Sequence, residues 1–437
     1  VRMFKRFVLL SLGLALLLLS SCASAGVSAV LPTAYVENTP EVNETVRVLH
    51  IWPEQDALFE EILGKAAKEN GFAVSVSSVK FGTSLTTLRA AHAADAMYDL
   101  FAYRFEDFYT LKSEGLLYDL SDSINALNAD FYPNAIKQYT ENDALYGIPY
   151  TAGGQVILYN RDYFESYGWK LPEDQDSFVQ LMKDILSSGF TPLSLSGKPN
   201  GNQLNNLLSA LTENRLSEDD LLDDPLYLTG RFTDWGGKLA MSAVTVKRWS
   251  GSGFFGDSEL ALDDDASISA FLSGQSAMLY IDLSDLNLLS SAEHFGDFAI
   301  GAFLLPPCEK GQEQLFSGSG FHTAIGVWSE TEYTEETAAL LSALNKKDNL
   351  TAFANASCSL MAAKGIAYEG DLLPLLSPYL EAAGSHPVRP DFYMKNVSDL
   401  SAQLFVDYLT SDMTADDLEQ NFSTIRRTAF EQSDRSK

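Results

Sequence analysis

Hydrophobic and polar positions follow two rhythms along this chain. Val46-Arg47-Val48-Leu49-His50-Ile51-Trp52 has the mixed alternation of a strand. Leu58, Phe59, Ile62, Leu63 and Ala66 then recur at helical spacing, and Gly71 predicts the end of that helix. Phe72 to Val79 alternates again, Leu85, Leu88 and Ala91 suggest a second helix, and Met97 to Tyr103 predicts a third strand. Phe108, Leu111 and Leu116 to Leu120 carry a helix into a loop. Strand and helix in repeated alternation predict a mostly parallel sheet with helices on both faces.

The stretch from Tyr146 to Gly168 breaks that rhythm. Tyr146 to Tyr150 reads as a tight loop whose Pro149 fixes φ and removes a donor. Thr151 to Gly154 is small and able to bend, and Gln155 to Tyr159 is a short apolar strand. Asn160 can cap a helix that stops at Gly168. Such a segment suits a crossing between two lobes. Beyond it, Asp174 is a candidate N-cap for a helix ending near Gly189, and Thr191 to Leu195 is the next strand. Asp263-Asp264-Asp265 lacks the glycine and spacing of a calcium loop and reads as a helix N-terminus. A helix ends at Gly274 and a strand begins at Ser276. Thr334 to Asn345, Asp348 to Ala362, Leu400 to Tyr408 and Thr414 to Phe430 read as later helices.

In open sheets of this kind a ligand sits beyond the carboxyl ends of the strands. That rule singles out Trp52, Glu54 and Gln55 after the first strand, Tyr103 and Arg104 at the third, and Tyr150 after the crossing. Aromatics with one acid and one base suit a polar ligand with apolar faces. Each has a structural alternative: Trp52 as a core ring, Arg104 as the partner of a nearby acid.

Two motifs carry a resemblance. Y-G-I-P followed by L-Y-N-R-D-Y-F, and Phe271-Leu-Ser-Gly-Gln-Ser-Ala-Met278, resemble the crossover and F-x-x-G-K-A-A-M signatures of the solute-binding proteins of ABC importers, sugar-binding (maltose-binding-like) family. The resemblance implies an α/β, two-lobed periplasmic-binding-protein-like fold (type II) with three crossover segments. It implies an N-terminal lobe of residues 46–151 and 325–385 and a C-terminal lobe of 152–324 and 386–437. It further implies capture of a mono- or short oligosaccharide between the lobes, delivery to permease subunits, no catalysis, no cofactor and no metal. Phe316 to Ile325 resembles the second crossing, which adds Phe321 to the site, and His386 to Pro390 the third, which adds Arg389. Asn202 stands where the family's cleft is often aromatic, and Asp282 and Ser284 stand in place of its G-x-W glycine and stacking tryptophan. The same fold carrying a polyamine, a peptide or a phosphorylated compound, and an extracytoplasmic hydrolase, are the alternatives.

The leader and the charge place the chain. Arg2, Lys5 and Arg6 precede an apolar run from Phe7 to Leu19, the pattern of a secretory signal over residues 1–21. Leu19-Ser-Ser-Cys22 resembles a bacterial lipobox, which implies a lipidated Cys22 at a membrane and a flexible tether over 22–45. A formal net charge of −29 over 437 residues argues against nucleic acid as partner, and a monomer is expected. Cys308 and Cys358 could pair outside the cytoplasm, but their spacing gives no zinc site. Neither H-E-x-x-H nor G-x-S-x-G nor a phosphate loop occurs.

Overall fold

The computed structural model describes residues 45–434 except 128, 199–202, 217–236, 257–261, 291–297, 313, 318–319 and 381–394. The signal, the tether, Cys22, Asn202 and the third crossing with Arg389 lie outside the described residues.

Two sheets organise the described chain. The first begins with β1 (Thr45–His50), α1 (Asp56–Asn70), β2 (Ala73–Ser78), α2 (Ser84–Ala93), β3 (Leu100–Arg104) and α3 (Phe105–Ser113). β1 pairs in parallel with β2 and with β3. Helix α1 buries Phe59, Ile62, Leu63, Ala66 and Ala67 and stops at Gly71 in the left-handed region. Strand β3 starts three residues later than the alternation predicts. The guanidinium of Arg47 donates to the carbonyls of Ala96 and Met97, and the Asp99 carboxylate accepts from the Arg47 amide, so side chains hold the backbone before the ladder begins.

The expected loop at Tyr146–Tyr150 contains a two-residue strand, β4 (Ile148–Pro149), at the sheet edge, where a proline costs no ladder bond. The chain then leaves for a second sheet through β5 (Gln155–Asn160), α4 (Arg161–Tyr167), α5 (Gln175–Ser187), β6 (Thr191–Ser194), α6 (Gln203–Glu213), α7 (Lys238–Gly251), α8 (Asp264–Leu272), β7 (Ser276–Asp282) and β8 (Ile300–Phe303). Local chemistry sets these boundaries. Asn160 accepts from the Tyr163 amide, Asp174 and Ser177 form a capping box, and Asp263 accepts from the Ala266 amide.

The chain returns to the first sheet in β9 (Thr323–Val327), giving the orders β2-β1-β3-β9-β4 and β8-β5-β7-β6. β9 runs antiparallel to β3, so the first sheet is mixed rather than parallel throughout. The reason is topological: β9 enters from the other sheet, not through a right-handed crossover within its own. Helix α9 (Thr334–Leu344) packs on α1, and α10 (Lys347–Ser357) ends five residues before the predicted Ala362, because Cys358 turns left-handed at φ 50°. Helices α11 (Leu372–Leu376), α12 (Lys395–Thr410) and α13 (Ala415–Asp434) follow; α12 and α13 pack against α6 and α7 beside the second sheet. Cys308 and Cys358 are not joined in a disulfide.

Candidate functional site

Two antiparallel segments connect the sheets side by side. The Gly153 amide donates to the Gly320 carbonyl (2.8 Å), and the Gln155 amide donates to the Ser317 carbonyl (2.9 Å). The Thr151 and Thr323 hydroxyls meet at 2.6 Å, and the Ala152 amide donates to the Leu360 carbonyl. Gly154 has φ 144°, and a Cβ there would stand 2.4 Å from the Phe316 ring. The end of β3 joins the crossing where the Phe105 amide donates to the His322 carbonyl, and the end of β7 joins it where the Leu283 amide donates to the Gly154 carbonyl (2.8 Å each).

Asp282 is the polar centre of the crossing. It is buried at the end of β7 and accepts from the Ser284 amide (2.8 Å), from Gln155 Nε2 (3.0 Å) and, at a longer 3.4 Å, from the Gly154 amide. His322 Nδ1 lies 3.7 Å from its Oδ1. The sequence suggests Asp282 as a ligand contact; in the structure its carboxylate accepts from the first crossing segment and from the turn that follows β7, with His322 of the second segment nearby. Charge-assisted bonds of this kind hold geometry where a strand changes direction.

Other sequence-derived candidates also turn inward. Tyr103 is fully buried, and its hydroxyl donates to the Tyr146 carbonyl (3.1 Å). Burial pushes the Tyr103 and Tyr150 hydroxyl pKa values well up, and Tyr150 packs against Phe353. Phe321 is fully buried, stacked on Tyr132, with its backbone held by Gln138. These three rings belong to the core, because alternation along β3 and through both crossings aims them at it. Gln55 is half-buried and ties its turn to the Ala356 carbonyl.

Trp52, Glu54, Arg104 and Ser284 keep exposed or half-buried positions. Trp52 stacks on Phe59 and meets Tyr150 and Phe353 at 5.4 and 5.0 Å, so it caps an aromatic cluster while retaining an open side. His50 lies beneath, its ring 4.1 Å from that of Phe59. Burial lowers its pKa to about 4, and Asp56 only partly opposes this. Arg104 pairs with Glu106 at 2.6 Å, and its guanidinium lies 4.5 Å from the Phe81 ring centroid.

Phe81, Glu106 and Asp285 were not singled out from sequence. Phe81 lies in the turn after β2 and is 44 % exposed, so the strand-end rule applied to that loop would have found it. Asp285 is half-buried three residues past Asp282. Burial and the carboxylates of Asp282 and Asp264 hold its pKa well above the ordinary carboxylate value, and Arg104 pulls the other way. Among the described residues no group of three or more His, Cys, Asp or Glu side chains is disposed to hold a metal ion.

Comparison with known proteins bears on this arrangement. The family model described as bacterial extracellular solute-binding protein matches residues 61–369. A multiple sugar-binding protein of Streptococcus mutans serotype c is 27 % identical over 202 residues, which span 45 % of this chain and 45 % of that one. Among solved structures, a chitin oligosaccharide binding protein superposes with a TM-score of 0.74 at 18 % identity, covering 89 % of this chain and 99 % of its own. The SBP RafE in complex with raffinose gives 0.66 at 21 % identity, covering 88 % and 100 %. These two superpositions share the two-lobed fold.

Proposed function

Since this chain belongs to the bacterial extracellular solute-binding protein family, we propose that the solute it binds is a carbohydrate of one or a few sugar units, held between its two sheets and handed to the permease of an ABC importer. Membership of that family makes it a binding protein rather than an enzyme and sets it outside the cytoplasm. The observation that carries the sugar reading is that turns at the strand ends carry exposed or half-buried rings and polar side chains. Trp52 and Phe81 offer apolar surface, while Arg104 and Asp285 offer hydrogen-bonding groups. A pyranose has the complementary make-up, with C–H faces and a rim of hydroxyls. The multiple sugar-binding relative supports the same reading. Ligand touching both lobes favours the closed arrangement by its differential affinity, and the permease recognises that form.

A thermal-shift panel tests this. Maltose, raffinose and a chitin oligosaccharide are set against spermidine, amino acids and a sugar phosphate. A sugar at one hundred times its Kd adds about 2.7 kcal/mol to the folded state and raises Tm. A rise with only a non-sugar solute overturns the carbohydrate assignment.

We also assign Cys22 as the site of a lipid anchor, with the chain acting as a monomer. The basic and apolar leader ending in Leu19-Ser-Ser-Cys22 supports this. Cys22→Ala should abolish palmitate labelling and release the protein from the membrane; equal labelling of the variant would sink the assignment.

A further inference from the structure

His322 sits where the parts of the crossing meet. It belongs to the second connecting segment, and its backbone carbonyl accepts from the Phe105 amide at the end of β3 (2.8 Å). Its ring lies on the first segment. A Cβ at Gly153 would stand 2.1 Å from Cε1 and 2.2 Å from Nδ1 of the imidazole, so a glycine there leaves room for the ring. Nδ1 is also 3.7 Å from Oδ1 of Asp282, which ends β7 in the second sheet. That separation exceeds a hydrogen bond but lies within the reach of an ion pair. The side chains of His322 and Asp282 are 15 % and 6 % exposed, so water screens the pair weakly. Asp282 in turn accepts from the Ser284 amide and from Gln155 Nε2. The imidazole thus links both connecting segments to the last residue of β7.

We propose that His322 and Asp282 form a proton-operated latch in the crossing, tight when the imidazole is charged and slack when it is neutral. Histidine is the side chain whose charge ordinarily changes between about pH 5 and 8. A neutral ring at 3.7 Å adds little to a carboxylate that already has donors. A charged ring carries an N–H on both nitrogens and is drawn to the carboxylate. Because the ring is seated on Gly153, that pull tightens the second segment against the first and against the end of β7. The surrounding elements differ in the charge they bring. The first segment, Thr151 to Gln155, carries no charged side chain. The end of β7 and its turn bring Asp282 and Asp285, the passage from β3 into α3 brings Arg104 and Glu106, and the helical turn whose Gln138 holds Phe321 brings Lys137. Arg104 and Glu106 pair with each other, and Lys137 is exposed. The carboxylates at the end of β7 therefore answer the imidazole, with Asp282 in reach of it. The latch lies where the two sheets are joined. A proton and a solute that favours one arrangement of the lobes are then linked, each changing the other's affinity, whichever solute is bound.

Hydrogen exchange on the full mature chain, without solute, tests the latch at about pH 5.5 and about pH 8, with rates referred to those of the unstructured chain. His50 stays neutral across this window, since its pKa is about 4. In wild type the amides of Gly153, Gly154, Gln155 and Ser284 should be protected about tenfold more at the lower pH. In His322→Gln, which fills similar space but takes up no proton, the difference should shrink to within about twofold. Asp282→Asn removes the answering charge and should erase the difference as well. Either variant decides the matter if the other fails to fold. No difference in wild type, or a difference that persists in His322→Gln, overturns the latch. A difference lost in His322→Gln but kept in Asp282→Asn overturns the pair, because the proton would then act through another partner. The carbohydrate reading stands or falls separately, because no solute is present in this measurement.

Discussion

His50 and Asp282 show how single groups near the cleft divide stability from binding. His50 is buried and stacked, and its pKa falls from 6.5 to about 4. The sign follows from linkage. Above pH 6.5 the imidazole is neutral in both folded and unfolded chains, so its contribution is fully present. As pH falls toward about 4 the unfolded chain takes up the proton first, and stability is lost. The full loss is on the order of 3 kcal/mol, taking about 1.4 kcal/mol per pKa unit. His50→Phe keeps the stack on Phe59 and should flatten the Tm profile between pH 4 and 6.5; profiles that stay parallel to wild type would place the acid sensitivity elsewhere. Asp282 is a different case. Asp282→Ala strips the acceptor from Gln155 Nε2 and the Ser284 amide inside the crossing. Leaving buried donors unmet costs about 1–3 kcal/mol each, so the urea midpoint should fall clearly. Solute affinity, measured on the protein that remains folded, should change little. A loss of about tenfold or more would return Asp282 to the ligand.

Among the elements, the crossing depends on Gly154 more than on any strand. Its φ of 144° is a conformation that other residues avoid, and a methyl group would meet the Phe316 ring at 2.4 Å. Gly154→Ala should therefore cost more than about 2 kcal/mol. Asn160→Ala, a few residues on, loses only the cap to the Tyr163 amide, about 1 kcal/mol. Equal losses in chemical denaturation would mean that the crossing relaxes around the methyl group. The two positions differ in legibility as well. The Asn160 cap and the Gly168 stop are local chemistry, readable three residues away. The collision at Gly154 involves Phe316, more than 150 residues further along.

For the whole molecule, solute should act by closing the two lobes. Small-angle scattering of the mature chain with a bound sugar should give a smaller radius of gyration than without it, and an unchanged radius would count against closure. The division between what pattern and what packing decide runs through the same architecture. Periodicity, caps and glycine stops are local, so most strands and helices and the α/β class were already legible along the chain, while the two-lobed arrangement was implied by the family resemblance of two motifs. The F-L-S-G-Q-S-A-M run marked the helix-to-strand passage into β7. The direction of β9 was not legible, because it depends on which sheet the chain returns from. Nor was the fate of Tyr103, Tyr150, Phe321 and Asp282: an aromatic or an acid at a strand end reads the same whether it faces solvent or core. Only the tertiary packing separates them. It turns the three rings inward and spends the Asp282 carboxylate on the crossing. It also leaves the Phe81 ring exposed beside the Arg104 guanidinium, because burial is set by residues distant in sequence.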